Sequence, residues 1–131
     1  MEIGSWGNDI LGKVPFRKES VPEDVEFVRV SVRELGFKDG AYRRDIYKAA
    51  LEQGLELCLP EDGPALRLAY KNQPVVEWVL MGMEPITDSL GCANVFNLER
   101  DDDGVWLSAS DGNAALFWNG NVVWVFRRKK V

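Results

Sequence analysis

The chain has 131 residues, enough for one hydrophobic core and short for two, because a domain usually takes about 100–150 residues. Its 46% hydrophobic and 28% charged residues are the balance of a globular protein and exclude disorder, collagen and coiled coil. Sixteen basic against 21 acidic residues give −5, and the absence of histidine removes the commonest general base and the commonest metal ligand together.

Residues 1–20 carry three glycines, one proline and no sustained periodicity, and read as an irregular or partly disordered lead-in to a single α+β domain over 21–131. Ser20 and Glu23 stand at capping-box spacing around a turn. Phe27 to Val32 alternates and is β-branched, the pattern of a half-buried strand. Ser31 and Glu34 repeat the capping-box spacing before a short turn ending at Gly36. A helix is predicted over 41–53, with Asp39 as its cap, Gly54 as its stop, and Tyr42, Ile46, Ala49, Ala50 and Leu51 as its apolar side. Leu55 to Leu59 is a short strand candidate. The acids and prolines of 60–64 favour a helix over Ala65–Tyr70, although those residues also alternate as a strand. From Pro74 the chain turns β-like, with strands expected at 75–83, 94–100, 105–110, 115–118 and 122–128, separated by Asp, Gly and Asn turns. The fold class is therefore α+β, one or two helices packed against an antiparallel β-meander of about four to five strands.

Cys58 and Cys92 cannot make a zinc site alone, because a structural zinc takes four ligands and no histidine completes the set. The N-terminus lacks a signal-peptide pattern, no apolar run approaches the length of a membrane span, and reduced thiols in a cytoplasmic protein are expected. Arg127, Arg128, Lys129 and Lys130 concentrate four cations at the C-terminus; without them twelve basic residues face 21 acidic ones, a net of −9. So acidic a body repels a phosphate backbone and leaves weak nucleic-acid binding to that tail, where the simpler role is to protect a final strand.

Glu99, Asp101, Asp103 and Gly104 loosely follow a calcium-loop rhythm, but Ser110 stands where such a loop needs its bidentate glutamate, so the run reads as a hairpin turn. Glu84 and Asp88 flank a loop and would serve a small carboxylate- or metal-dependent hydrolase if burial drove their pKa values apart. Neither cysteine has a cationic neighbour, and no phosphate-cradling glycine loop is present. A winged helix-turn-helix over 41–70 lacks the required basic charge, Arg67 being the one cation of its second helix. The excess is aromatic: of five tryptophans, Trp78, Trp106, Trp118 and Trp124 lie in the β half. Adjacent Phe117 and Trp118 must point to opposite sides of a strand, so at least one ring faces away from the helices. Trp106, Phe117, Trp118 and Trp124 are the candidate binding residues; Glu84, Asp88, Asp101 and Asp103 are the acidic candidates.

The segments Gly54–Leu68, Trp78–Ser89 and Asp103–Leu107, with the closing Trp124-Val125-Phe126, resemble small uncharacterised bacterial proteins over roughly residues 27 to 128. The resemblance implies a bacterial origin and a self-contained domain and carries over no site. The reading is a non-enzymatic protein- or peptide-binding module with no cofactor, no metal and no membrane partner, its oligomeric state left open.

Overall fold

The computed structural model describes residues 2–12 and 25–128, the side chains of Glu2 and Trp6 excepted. In that range the elements run β1 (Glu2–Ile3), α1 (Ser5–Leu11), β2 (Phe27–Ser31), β3 (Ala41–Tyr42), α2 (Arg43–Glu52), β4 (Leu55–Glu56), α3 (Asp62–Ala69), β5 (Trp78–Met81), β6 (Ile86–Thr87), β7 (Ala93–Asp101), β8 (Gly104–Asp111), β9 (Phe117–Trp118) and β10 (Val123–Arg128). An eight-stranded sheet has the order β1-β8-β7-β5-β10-β2, with β4 beside the end of β10 and β6 beside β7; β3 and β9 form a separate ladder.

The fold is α+β with a mostly antiparallel sheet, but it is not a meander of four to five strands. β7 and β8 form the one long hairpin, in register from Asn94↔Asp111 to Asp101↔Gly104. The chain after β8 then crosses β7 and β5 to set β10 parallel to β5, and β1 lies parallel to β8. Turn residues specify a local hairpin; they carry no information about which distant strand a closing strand joins. The supposed irregular lead-in supplies β1 and α1 over its first residues, and Asp9 fastens α1 to the far loop by accepting from the Ser89 N–H and hydroxyl at 3.1 and 2.6 Å. The Ser20/Glu23 box lies outside the described residues.

β10 divides the core between two faces. Trp124 and Phe126 point toward α2, where both rings meet the Tyr47 ring edge-on at 5.5 and 5.8 Å. Val125 and Arg127 point the other way, toward α3, where Arg127 Nε and NH2 donate to the fully buried Asp62 at 2.5 and 2.8 Å. That pairing raises the Arg127 pKa, against the opposing effect of burial. Gly82 bonds the Val125 carbonyl at 2.7 Å, and a Cβ there would lie 2.3 Å from Phe126 Cε1, so only glycine lets β5 continue past that ring.

α2 begins at Arg43, later than predicted, and Asp39 does not cap it. Tyr42 holds the cap position without a side-chain bond, and the first turn is satisfied by the backbone: Arg43 and Arg44 N–H donate to the Leu116 and Ala114 carbonyls at 3.0 and 3.1 Å. Its buried face is Ile46, Tyr47, Ala49 and Ala50, while Tyr42 and Leu51 are 43% and 50% exposed. Gly54 ends the helix at φ +87°, as its position implied. The Ser31/Glu34 box is realised reciprocally: Ser31 N–H donates to Glu34 Oε1 at 3.0 Å and Glu34 N–H to Ser31 Oγ at 3.1 Å, which holds the Glu34 carboxyl below its usual range. α3 bears out the helical choice for the 65–70 stretch, running instead over Asp62–Ala69.

Candidate functional site

The structure separates the four predicted binding aromatics. Trp124 is fully buried, which removes it from any recognition surface. Trp118 packs edge-on against it at 5.8 Å and lies 5.9 Å from Trp78, so these rings form a partly buried tier against the core on the α2 face of the sheet. Trp106 stands apart on β8 and donates its indole N–H to Asp101 Oδ1 at 3.0 Å. Phe117 alone is exposed, at 51%, meeting Tyr42 edge-on at 5.5 Å in the β3–β9 ladder. The opposite orientation of Phe117 and Trp118 follows the strand alternation.

The acids do not converge. Glu84 is exposed. Asp88 organises its own loop, accepting from the Leu90 and Cys92 N–H groups at 2.9 Å each and from Asn94 Nδ2 at 2.6 Å. Asp101 Oδ1 accepts from the Asp103 and Gly104 N–H groups at 2.8 and 3.2 Å, which is turn chemistry, and Asp103 points to solvent. Among the described residues no three acids or cysteines gather as a metal site. Cys58 is buried, and desolvation, then the nearby Asp62 charge, raise its thiol pKa, while Cys92 is exposed. Half of the basic tetrad is strand: Arg127 is held by Asp62, and Arg128 by Glu26 at 2.7 Å, with Lys129 and Lys130 outside the described residues.

A recess lies on the α3 face, a groove of about 220 Å³ lined by Phe27 and Arg29 of β2, Val79 of β5, Val125 of β10, and Leu66 and Tyr70 of α3 and its exit. Strand alternation puts Phe27 and Arg29 on this face together, and the register Arg29↔Val125 sets the groove floor beside them. At its mouth Arg29 NH1 bonds Glu77 Oε2 and the Tyr70 hydroxyl, which itself donates to Glu77 Oε1 at 2.9 Å. Burial, then that bond to Glu77, raise the Tyr70 pKa, so the phenol stays neutral.

Beside the groove β2 is an edge. The pairs Val32 N–H to Val122 O and Arg128 N–H to Glu26 O, at 2.9 Å each, place the even-numbered residues' bonds toward β10. The backbone groups of Phe27, Arg29 and Ser31 therefore point outward. Those of Ser31 are taken, its N–H by Glu34 and its carbonyl by Leu35 N–H at 3.2 Å. Among the described residues, no strand pairs with the outer side of Phe27 and Arg29.

A buried polar knot holds the 70–77 segment beside this groove. Arg67, 1% exposed, donates through NH1 to Gln73 Oε1 at 2.6 Å and to the Trp106 carbonyl at 3.2 Å, and through NH2 to the Tyr70 carbonyl. Gln73 Nε2 then reaches the Leu98 and Glu77 carbonyls at 3.0 and 3.2 Å. The sequence singled out aromatics and acids and missed Phe27, Arg29, Leu66 and Tyr70. Their signal was there in part, since alternation already placed Phe27 and Arg29 on one face, but the helix that walls the groove is distant in the chain.

No family model, curated protein or solved structure matches the chain. Among the described residues no helix is long and apolar enough to cross a membrane.

Proposed function

We propose that this protein is a non-enzymatic peptide-binding module, taking a short extended segment along the outer side of β2 and one of its apolar side chains into the adjoining groove. The observation that carries this reading is the coincidence of an edge at Phe27 and Arg29 that no strand among the described residues pairs with and an apolar recess lined by the same two residues. Strand addition supplies affinity through main-chain hydrogen bonds, and the pocket for alternate side chains supplies selection. Glu34 occupies the Ser31 N–H and the Leu35 N–H its carbonyl, so among the described residues of β2 the open edge is two outward residues long. That limits the ligand to a short segment and protects against indefinite sheet growth. Hydrolysis by Glu84, Asp88, Asp101 or Asp103 finds no support, because Asp88 and Asp101 are engaged by backbone N–H groups of their own loops and Glu84 and Asp103 are exposed. The two free thiols fit a cytoplasmic setting.

Selection from a displayed library of random linear peptides tests the proposal. Binders should share an apolar position and should be lost to Leu66→Trp, which fills the groove, and to Phe27→Pro, which removes an outward N–H without removing a ladder bond. Binders unaffected by both variants, or none from the library, would overturn it.

A further inference from the structure

We infer that the segment taken by this groove carries an acidic side chain two residues from its apolar anchor; this rests on the peptide-binding reading above. In an added strand, side chains two apart lie on the same face. Phe27 and Arg29 are themselves two apart on the groove face, so an anchor beside Phe27 places the second side chain beside Arg29.

The charge at that second position is set by burial. In the ion pair at the groove mouth the Glu77 side chain is 16% exposed, whereas that of Arg29 is 53% exposed; the exposed Glu26 is an even-numbered residue on the other face of the strand and is paired with Arg128. A ligand at the mouth therefore meets the cation. Arg29 is also oriented for it: NH1 is turned inward onto Glu77 and Tyr70, and Glu77 is fixed from below by the Tyr70 hydroxyl. Nε and NH2 of Arg29 have no partner among the described residues. That is the same guanidinium edge through which Arg127, opposite Phe27 on β10, grips both oxygens of Asp62. A planar fork with one edge pinned and the other free suits a carboxylate, which accepts two parallel bonds; an amide or a lysine cannot match it.

The test uses the whole chain and capped eight-residue peptides of β-branched background, with leucine as anchor and Glu, Gln or Lys two residues to either side, read by fluorescence anisotropy at low and moderate salt. The Glu peptide should bind roughly three- to fivefold tighter than its Gln counterpart, as one partly exposed ion pair gives, with Lys weakest and the difference narrowing as salt rises. Arg29→Gln should abolish the Glu preference and keep the preference for leucine over alanine at the anchor. Arg29→Lys, which keeps the charge and loses the fork, should keep part of it. Leucine-dependent binding indifferent to Glu, Gln or Lys in the unmodified protein, or a Glu preference that survives Arg29→Gln, would overturn the acidic requirement and leave peptide binding standing. No binding by any peptide of the series would overturn both. Should Arg29→Gln fail to fold, the order of the three peptides on the unmodified protein decides.

Discussion

The Tyr47 hydroxyl closes both backbone groups of Met83: it donates to the Met83 carbonyl at 2.7 Å and accepts from the Met83 N–H at 3.0 Å. Met83 follows β5 and is fully buried, so one side chain of α2 supplies the bonds that a further sheet neighbour would supply. Tyr47→Phe keeps the ring and its contacts with Trp124 and Phe126 but leaves two buried backbone groups unpaired. Chemical denaturation should show a loss of about 2–4 kcal/mol. A loss under 1 kcal/mol would mean that the backbone finds other partners.

Val76 occupies the third position of a turn closed by the Glu77 N–H and the Pro74 carbonyl at 3.1 Å, with φ +65°. Type II turns reserve that position for glycine or asparagine, and a β-branched residue is strained there. Because Val76 is 88% exposed, little burial offsets the strain. Val76→Gly should raise the denaturation midpoint by an amount equivalent to about 0.5–1 kcal/mol, the gain being trimmed by glycine's freer unfolded chain. An unchanged or lower midpoint would contradict this.

Asp62 has no exposure, accepts from the Leu59 N–H at 2.7 Å and pairs with Arg127, tying α3 to β10. Asp62→Ala leaves a half-buried guanidinium uncompensated and should cost about 3–5 kcal/mol. The double variant Asp62→Ala with Arg127→Met should recover part of that loss in a thermal melt, because the stranded charge is then gone.

Alkaline stability should fall in two stages. Burial raises the pKa of both Cys58 and Tyr47. The folded state thus holds each proton after the unfolded chain has released it, so stability is complete below the unfolded pKa and declines above it. The decline should begin near the ordinary thiol value of about 8.5 and steepen near the phenol value of about 10, each group adding about 1.4 kcal/mol per pH unit. In Cys58→Ala the first stage should vanish from a stability-against-pH series while the second remains; a first stage that persists would point to another group.

Much of the local structure was legible in the chain. β2 was readable from alternation, the stop of α2 from Gly54, the 101–104 hairpin from its aspartates and glycine, and the opposite facing of Phe117 and Trp118 from strand geometry, because each depends on residues a few positions apart. The α2 face was partly misassigned because the Arg43 and Arg44 N–H groups find the carbonyls of Leu116 and Ala114, far along the chain, which moves the helix start past Tyr42.

By itself, then, the sequence determined an acidic α+β chain without histidine. Only the tertiary structure decided that β10 inserts between β5 and β2, that Trp124 is sealed inside, and that α3 walls a groove beside Phe27 and Arg29. The physical reason is distance along the chain: turn and period signals act over a few residues, whereas strand order and groove walls follow from burying Trp124, Phe126 and the Asp62–Arg127 pair together.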